Sequence, residues 1–446
     1  MLRKKPKKKK GGPFLSPKGM HDILGEKYHE YQGFFERASE TSLYYGFQPI
    51  ETPILEKEEV FTSATGTNTD IIEKEMYALK TKGGNRLAMR PEGTAGIVRA
   101  YIEHGMQTWH QPVMFYHYGP FFRHEKPQKG RLREFRQFGL EMLGTPKSIA
   151  DVMVIRVMTI ILEDVGFKGL CVHINSIGDK ECRPAYVKEL TAYYRKHINS
   201  LCVNCRQRIK TNPLRLLDCK HPQCQDKKEG APDTISALCN ACRQHFKEVL
   251  EYLEAVDIPY KIDSHLVRGL DYYTKTVFEI FDESEEDNKD DGEKESEVVP
   301  STALAIASGG RYDDLARSLG SRRDVSAIGG SIGVDRILMS PHYRAVNPRI
   351  VKKPKVYFIQ LGFEAKLKSL NIIEILRKAK IPVMHSLSKD SLSGQLAVAE
   401  KLKIPFTIIF GQKEALEGTV IIRNMNTRSQ DTIKIGELAD YIKKIK

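Results

Sequence analysis

Arg123, Glu125, Arg131 and Arg133 crowd one short stretch, Phe122-Arg123-His124-Glu125-Lys126-Pro127-Gln128-Lys129-Gly130-Arg131-Leu132-Arg133. Guanidinium groups are fixed, forked donors that match phosphate oxygens, so the chemistry within reach is the grip of a polyphosphate or a nucleic-acid backbone. Taken alone, Arg-x-Glu also reads as a solvated surface pair. Two further arginines stand beside glycines, in Arg268-Gly269-Leu270-Asp271-Tyr272-Tyr273 and in Gly333-Val334-Asp335-Arg336. The first of these can form a pocket wall, or a strand turn with snorkelling aromatics. Arg90-Pro91-Glu92-Gly93-Thr94 sets a carboxylate and a hydroxyl at a chain reversal, which suits an ammonium group and equally suits a capped helix start. Cys202-x-x-Cys205 and Cys239-x-x-Cys242 are two metal-type knuckles, with Cys219 and Cys224 between them.

Rigid carriers must bring these groups together. Apolar runs on both sides of Pro127 and Gly130 predict an antiparallel hairpin with a polar tip. Its period of two puts Arg123 and Glu125 on one face of the incoming strand, and Phe135, Gln137 and Gly139 on one face of the returning strand. Residues 87–90 read as a strand that stops at a Pro/Gly turn, with a helix from near Thr94. Apolar residues at helical spacing over 27–45, ended by Gly46, predict a long helix, and 47–53 an extended segment. An amphipathic segment at 149–162 and a strand at 170–174 follow, then a helical, cysteine-rich insertion at 179–254. Residues 303–308 predict a strand entering a Gly309-Gly310-Arg311-Tyr312-Asp313 turn that admits a planar ligand. From 355 onward, strands and helices alternate, which predicts a small α/β domain with a mostly parallel sheet.

Phe122-Arg123-His124-Glu125 with the Pro127-Gln128-x-Gly130-Arg131 loop resembles motif 2 of the class II aminoacyl-tRNA synthetases. The helix and extended segment over 27–53 are similar to motif 1, and 328–337 to motif 3, with Asp335 where that pattern more often has Glu. The 266–273 run resembles the histidine-binding signature of the histidyl-tRNA synthetase family. Leu392-Ser393-Gly394-Gln395-Leu396 and Ile408-Ile409-Phe410-Gly411 resemble pieces of the class IIa anticodon-binding domain, so the likeness runs from about Phe14 to the C-terminus.

The resemblance implies a class II antiparallel-sheet catalytic core at 14–178 and 255–342, the helical insertion, a linker at 343–354 and an anticodon-binding domain at 355–446. It implies a cytoplasmic homodimeric ligase that activates L-histidine with ATP and Mg²⁺ and passes it to the 3′ end of histidine tRNA. Arg123 would hold the α-phosphate, Arg336 the γ-phosphate, and Arg268 would stand where relatives place a metal ion. Glu125 and Arg131 would join the ATP site. Glu92, Thr94 and Gln137 would take the substrate's amino group, Glu141 and Tyr273 its imidazole, and Tyr272 would close the pocket. Gln128 and Arg133 would meet tRNA. The competing expectation is a synthetase-like regulatory paralogue without catalysis.

A chain of 446 residues accommodates two or three domains. A net charge of +13 favours a polyanionic partner, although seven of the cations lie within the first ten residues, a stretch that cannot build a core. Residues 282–297 hold ten carboxylates against two lysines and predict a flexible acidic loop. There is no apolar run of membrane-spanning length and no signal-peptide pattern. Cys202, Cys205, Cys239 and Cys242 are therefore expected to close one structural zinc site, with Cys219 and Cys224 able to replace one pair. Such a zinc would support the insertion and not the chemistry; a metal-free helical insertion with reduced thiols is the alternative.

Overall fold

The computed structural model describes residues 14–445 apart from 66–68, 70, 129, 285–303, 350–351 and 387–390. The basic tail, Lys129 and most of the acidic run lie outside the described residues. The chain forms two compact units that divide between Pro348 and Arg349.

Alternation along the central strands gives the first unit's sheet two unlike faces. On one face Phe138, Leu140, Met142, Phe278, Ile280, Ile328 and Ile332 are buried with Val154, Met158 and Ile161 of the helix Ile149–Asp164. The helix Glu26–Tyr44 adds Tyr31, Phe34 and Ala38 to that core. Each large apolar side chain so buried contributes about 1.5–3 kcal/mol of transfer free energy. On the other face stand Gln137, Gly139, Glu141, Glu279, Ser308, Gly329 and Ser331, which are small or polar. A sheet built this way is held from below and left free above for a ligand.

The strands are β1 Gln48–Pro49, β2 Leu55–Lys57, β3 Ala78–Lys80, β4 Arg86–Met89, β5 Val113–Phe122, β6 Glu134–Leu143, β7 Leu170–Ser176, β8 Tyr260–Ile262, β9 Thr274–Asp282, β10 Ala307–Arg311 and β11 Ala327–Gly333. Eight of them form one sheet in the order β1-β5-β6-β11-β10-β9-β7-β8. The six inner strands pair antiparallel, and only the edge strands β1 and β8 pair parallel. The antiparallel core expected from the sequence is present. β2, β4 and β3 make a small separate sheet.

Two local expectations need correction. β5 ends at Phe122, so Arg123 and Glu125 lie on the loop beyond it and not on a strand face. Gly309 to Arg311 is a strand paired on both edges, where the sequence suggested a turn. Its glycines reflect close neighbours on either side rather than chain reversal. Arg311 is fully buried on Asp151, 2.9 Å away, and the carbonyls of Thr145 and Lys147, so it braces the core.

The second unit has its own core, including Val356, Phe358, Ile372, Leu376, Ile408 and Val420. Its strands are β12 Val356–Gln360, β13 Val383–His385, β14 Phe406–Phe410, β15 Thr419–Asn424 and β16 Gln430–Lys434, in the order β13-β12-β14-β15-β16. β12 pairs parallel with both neighbours, but β14/β15 and β15/β16 are antiparallel. The sheet is mixed, not mostly parallel, because consecutive strands after β14 connect without a complete crossover.

Candidate active site

Glycines opposite bulky polar side chains shape the open face of the large sheet. A Cβ on Gly329 would collide with the Glu141 carboxylate, and one on Gly139 with the His117 imidazole. Both partners therefore lie flat over the sheet, in a register that pairs Phe115 with Glu141 and His117 with Gly139.

Two groups of side chains occupy this face. The first lines a cleft of about 440 Å³ with Arg123, Arg268 and Arg336, together with Glu125, Arg131 and Gln137. Each of the three guanidiniums is braced from behind. Arg123 donates to the Pro91 carbonyl at 2.9 Å and lies 5.2 Å from the Phe135 ring centroid. Arg268 pairs with Glu279 of β9 and donates to Ser308 Oγ of β10 at 2.7 Å, while its buried Nε has no hydrogen-bond partner among the described residues. Arg336 donates to the carbonyls of Gly130 at 2.9 Å and Ala305 at 2.6 Å, which joins the hairpin tip to the helix Val334–Met339. Burial holds the Arg336 pKa below its ordinary value, and Arg131 and Arg123 act in the same direction. The cleft wall carries seven Lys and Arg side chains against five Asp and Glu, an excess suited to an anion.

The second group is Glu92, Thr94, Glu141, Tyr272 and Tyr273, all buried. Thr94 Oγ1 donates to Glu141 Oε1 at 2.7 Å, and Tyr312 donates to Glu141 Oε2. Burial pushes the Glu141 carboxyl up to about 8 against these two donors. His117 Nε2 stands 3.9 Å from Glu141 Oε1 without a hydrogen-bond partner among the described residues, and burial together with Arg90 pushes its pKa down to about 3. Glu92 accepts from the backbone N–H groups of Thr94 at 2.6 Å and Ala95 at 2.9 Å, and from Tyr272 OH at 3.3 Å. It thus caps the helix Thr94–Glu103 at the positive end of the helix dipole, and burial pushes its pKa up against these backbone donors. Tyr273 packs on Tyr272 with ring centroids 4.8 Å apart. Carboxylates and a bare imidazole nitrogen beside an arginine-lined cleft can bind a cationic or hydrogen-bonding amino acid next to a polyphosphate.

Tyr312 and His117 received no role from the sequence. His117 had one available signal: the hairpin register sets it opposite Gly139, on the face shared with Glu141. Asp335 turns inward, accepting from Tyr31 OH at 2.6 Å and from the Arg136 backbone N–H. Its shorter arm serves that tie between helix and strand. At the hairpin tip, Gln128 is exposed and exchanges backbone bonds with Arg131 at 3.1 and 2.9 Å, Arg131 reaches Glu125 at 3.2 Å, and Arg133 donates to the Glu125 carbonyl.

The four-cysteine set drawn from the two C-x-x-C pairs is corrected by the fold. Cys202 and Cys205 gather with Cys219 and Cys224, whereas Cys239 and Cys242 gather with Asp179 and Cys182. The chain doubles back after the helix Val203–Thr211 and returns Cys219 to Cys202, while Cys239 and Cys242 open a different helix, Asn240–Ala255.

An antiparallel sheet floored by helices, with a basic hairpin and a Gly-rich strand meeting over its open face, defines a class II aminoacyl-tRNA synthetase. The family model for histidyl-tRNA synthetase matches residues 19–337, and that for an anticodon binding domain matches residues 355–445. The chain belongs to the histidyl-tRNA synthetase family. It is 38% identical over 431 residues to the histidine–tRNA ligase of Dehalococcoides mccartyi, covering 97% of this chain and 99% of that one. Against the histidine–tRNA ligase of Desulforamulus reducens the identity is 37%, over 96% and 98% of the two chains. The crystal structure of apo S. aureus histidyl-tRNA synthetase is similar with a TM-score of 0.76 and 29% identity, covering 97% of this chain and 100% of that one.

Proposed function

We propose that the protein activates L-histidine with ATP and transfers it to histidine tRNA. The observation that carries this reading is the joining of three braced arginines in one cleft with a buried Glu141 on the same sheet face. In the first step an oxygen of the histidine carboxylate attacks the α-phosphorus of ATP. A new P–O bond forms, the bond to the β-phosphate bridging oxygen breaks, and pyrophosphate leaves. Two anions must meet, so positioned cations supply much of the catalysis. Arg123 and Arg268 would stabilise the α-phosphoryl oxygens and Arg336 the γ-phosphate, with Glu125 and Arg131 at the rest of the nucleotide. ATP enters as its Mg²⁺ complex. In the second step the terminal tRNA ribose hydroxyl attacks the acyl carbon and AMP leaves.

Glu141, Tyr273 and Tyr312 would read the imidazole, and Glu92, Thr94 and Gln137 the ammonium, with Tyr272 closing over it. A neutral His117 near Glu141 adds a hydrogen-bonding atom without competing charge. Gln128 and Arg133 would meet the tRNA acceptor end, and the unit from Arg349 its anticodon. A homodimer is favoured by exposed Leu43 and Tyr44 on the segment that resembles motif 1, with Ile54 and Leu55 exposed just beyond it, and the cytoplasm is its proposed setting. No described helix is long and apolar enough to cross a membrane. A regulatory subunit without aminoacylation has less support, since both family models match and the full-length relatives are named ligases.

The test is ATP–pyrophosphate exchange with each of the twenty amino acids. Exchange with L-histidine alone is expected; none with histidine and Mg²⁺ present would end the reading.

A further inference from the structure

The helix Pro222–Glu229 buries one residue, Cys224, and the helix Val203–Thr211 buries only Cys205 and Ile209. Segments this short and this polar gain little from apolar burial, and such small units usually need a staple. Their thiols converge. The sulfurs of Cys202, Cys205, Cys219 and Cys224 all lie within 4.8 Å of one another, and Cys202 Sγ and Cys219 Sγ are 3.9 Å apart. A tetrahedron of thiolates at a zinc–sulfur distance of about 2.3 Å has edges of about 3.8 Å. A disulfide would need about 2.05 Å, and all eight cysteines are free. The backbone N–H of Cys202 points at Cys224 Sγ from 3.3 Å, the kind of donor that supports a bound thiolate. The spacing, two residues inside the first pair and four inside the second, falls within that of structural zinc knuckles.

We propose that Cys202, Cys205, Cys219 and Cys224 hold one structural zinc ion, and that this ion fixes the intervening strap at the edge of the candidate active site. The strap reaches the cleft directly. Arg215, Asp218 and Lys220 belong to its wall, and Asn212 donates to Asp271 at 2.6 Å, inside the run that carries Arg268, Tyr272 and Tyr273. Clamping both ends of this stretch therefore sets where three charged side chains stand beside the bound nucleotide. The zinc touches no reacting atom; it acts as a positioning device. The metal site rests on the cysteine geometry alone, and only its kinetic consequence rests on the proposed histidine activation.

Full-length protein purified without chelator is assayed for zinc and then reconstituted with Co²⁺, with X-ray absorption reporting the ligand shell. About one zinc per chain in a four-sulfur shell is expected. It should be lost in the Cys219→Ser, Cys224→Ser double variant and kept in Cys239→Ser, Cys242→Ser. Folded wild-type protein without metal overturns the site, as does zinc that leaves with Cys239 and Cys242 but survives loss of Cys219 and Cys224. Should the first double variant not fold, the wild-type sulfur shell still decides, since fewer than four sulfurs excludes this set. In exchange assays, stripping zinc should raise the KM for ATP several-fold, with recovery on adding Zn²⁺; an unchanged KM overturns the strap's role. Zinc-loaded protein that exchanges no amino acid would refute the activation reading and leave the metal site standing.

Discussion

Glu141 is the side chain whose behaviour most directly reports the candidate site. Its folded carboxyl sits near 8 because it is buried, above the ordinary 4.5. The unfolded chain therefore releases this proton first. The group's contribution to stability is intact below about pH 4.5, declines as pH rises to about 8, and is level beyond. Thermal unfolding of ligand-free protein should show Glu141→Gln gaining on the wild type between pH 5 and 8; a constant gap would mean the carboxyl is already ionised. The same variant should raise the histidine KM by about tenfold or more, equivalent to roughly 1.4 kcal/mol of binding, while leaving the ATP KM nearly unchanged. Arg268→His should slow activation by more than about tenfold in single-turnover assays, roughly 1.4 kcal/mol of transition-state stabilisation; an unaltered rate would move the phosphoryl role elsewhere. The arginines beside turns stood out in the sequence by residue type, whereas Glu141, inside a strand, was singled out only by the family resemblance; the fold sets them on one sheet face. Tyr312 was not legible, because a tyrosine after two glycines carries no mark of the carboxylate it meets across the sheet, 171 positions away.

Among elements, the helix Val334–Met339 shows how neighbouring residues divide their labour. Arg336 faces the cleft, and Asp335 ties Tyr31 of the long N-terminal helix to the backbone of β6. Asp335→Ala would leave the Tyr31 hydroxyl buried without its acceptor, a cost of about 1–3 kcal/mol. It should appear as a lower unfolding midpoint with a small change in ATP KM, whereas Arg336→Ala should raise the ATP KM by far the more. Equal losses of activity in both variants would contradict this division. Strong apolar periodicity made the hairpin and the core helices readable within a few residues of their ends. β16 escaped because Gln430–Lys434 is an exposed polar edge strand that buries almost nothing, so its pattern matches a loop. The cysteines were half legible: Cys219 and Cys224 stood as replacements for one pair, but no motif shows the chain reversal after Asn212 that selects Cys219 as the neighbour of Cys202.

For the whole molecule, two units with separate cores imply that chemistry and anticodon reading can be dissected. A chain ending at Pro348 should still exchange pyrophosphate with histidine yet charge tRNA at least about a hundredfold less efficiently, near 2.7 kcal/mol. Normal charging by that fragment would remove the tRNA role from the second unit. Arg336 holds the hairpin tip by the carbonyl of Gly130, a group every amino acid possesses. The exposed side chain of Gln128, whose own backbone is paired with Arg131, is thus released from holding it in place. If the tip meets the tRNA acceptor end as proposed, a change in that end can across descent be followed by a point replacement at Gln128, with the Arg336 brace beneath left in place.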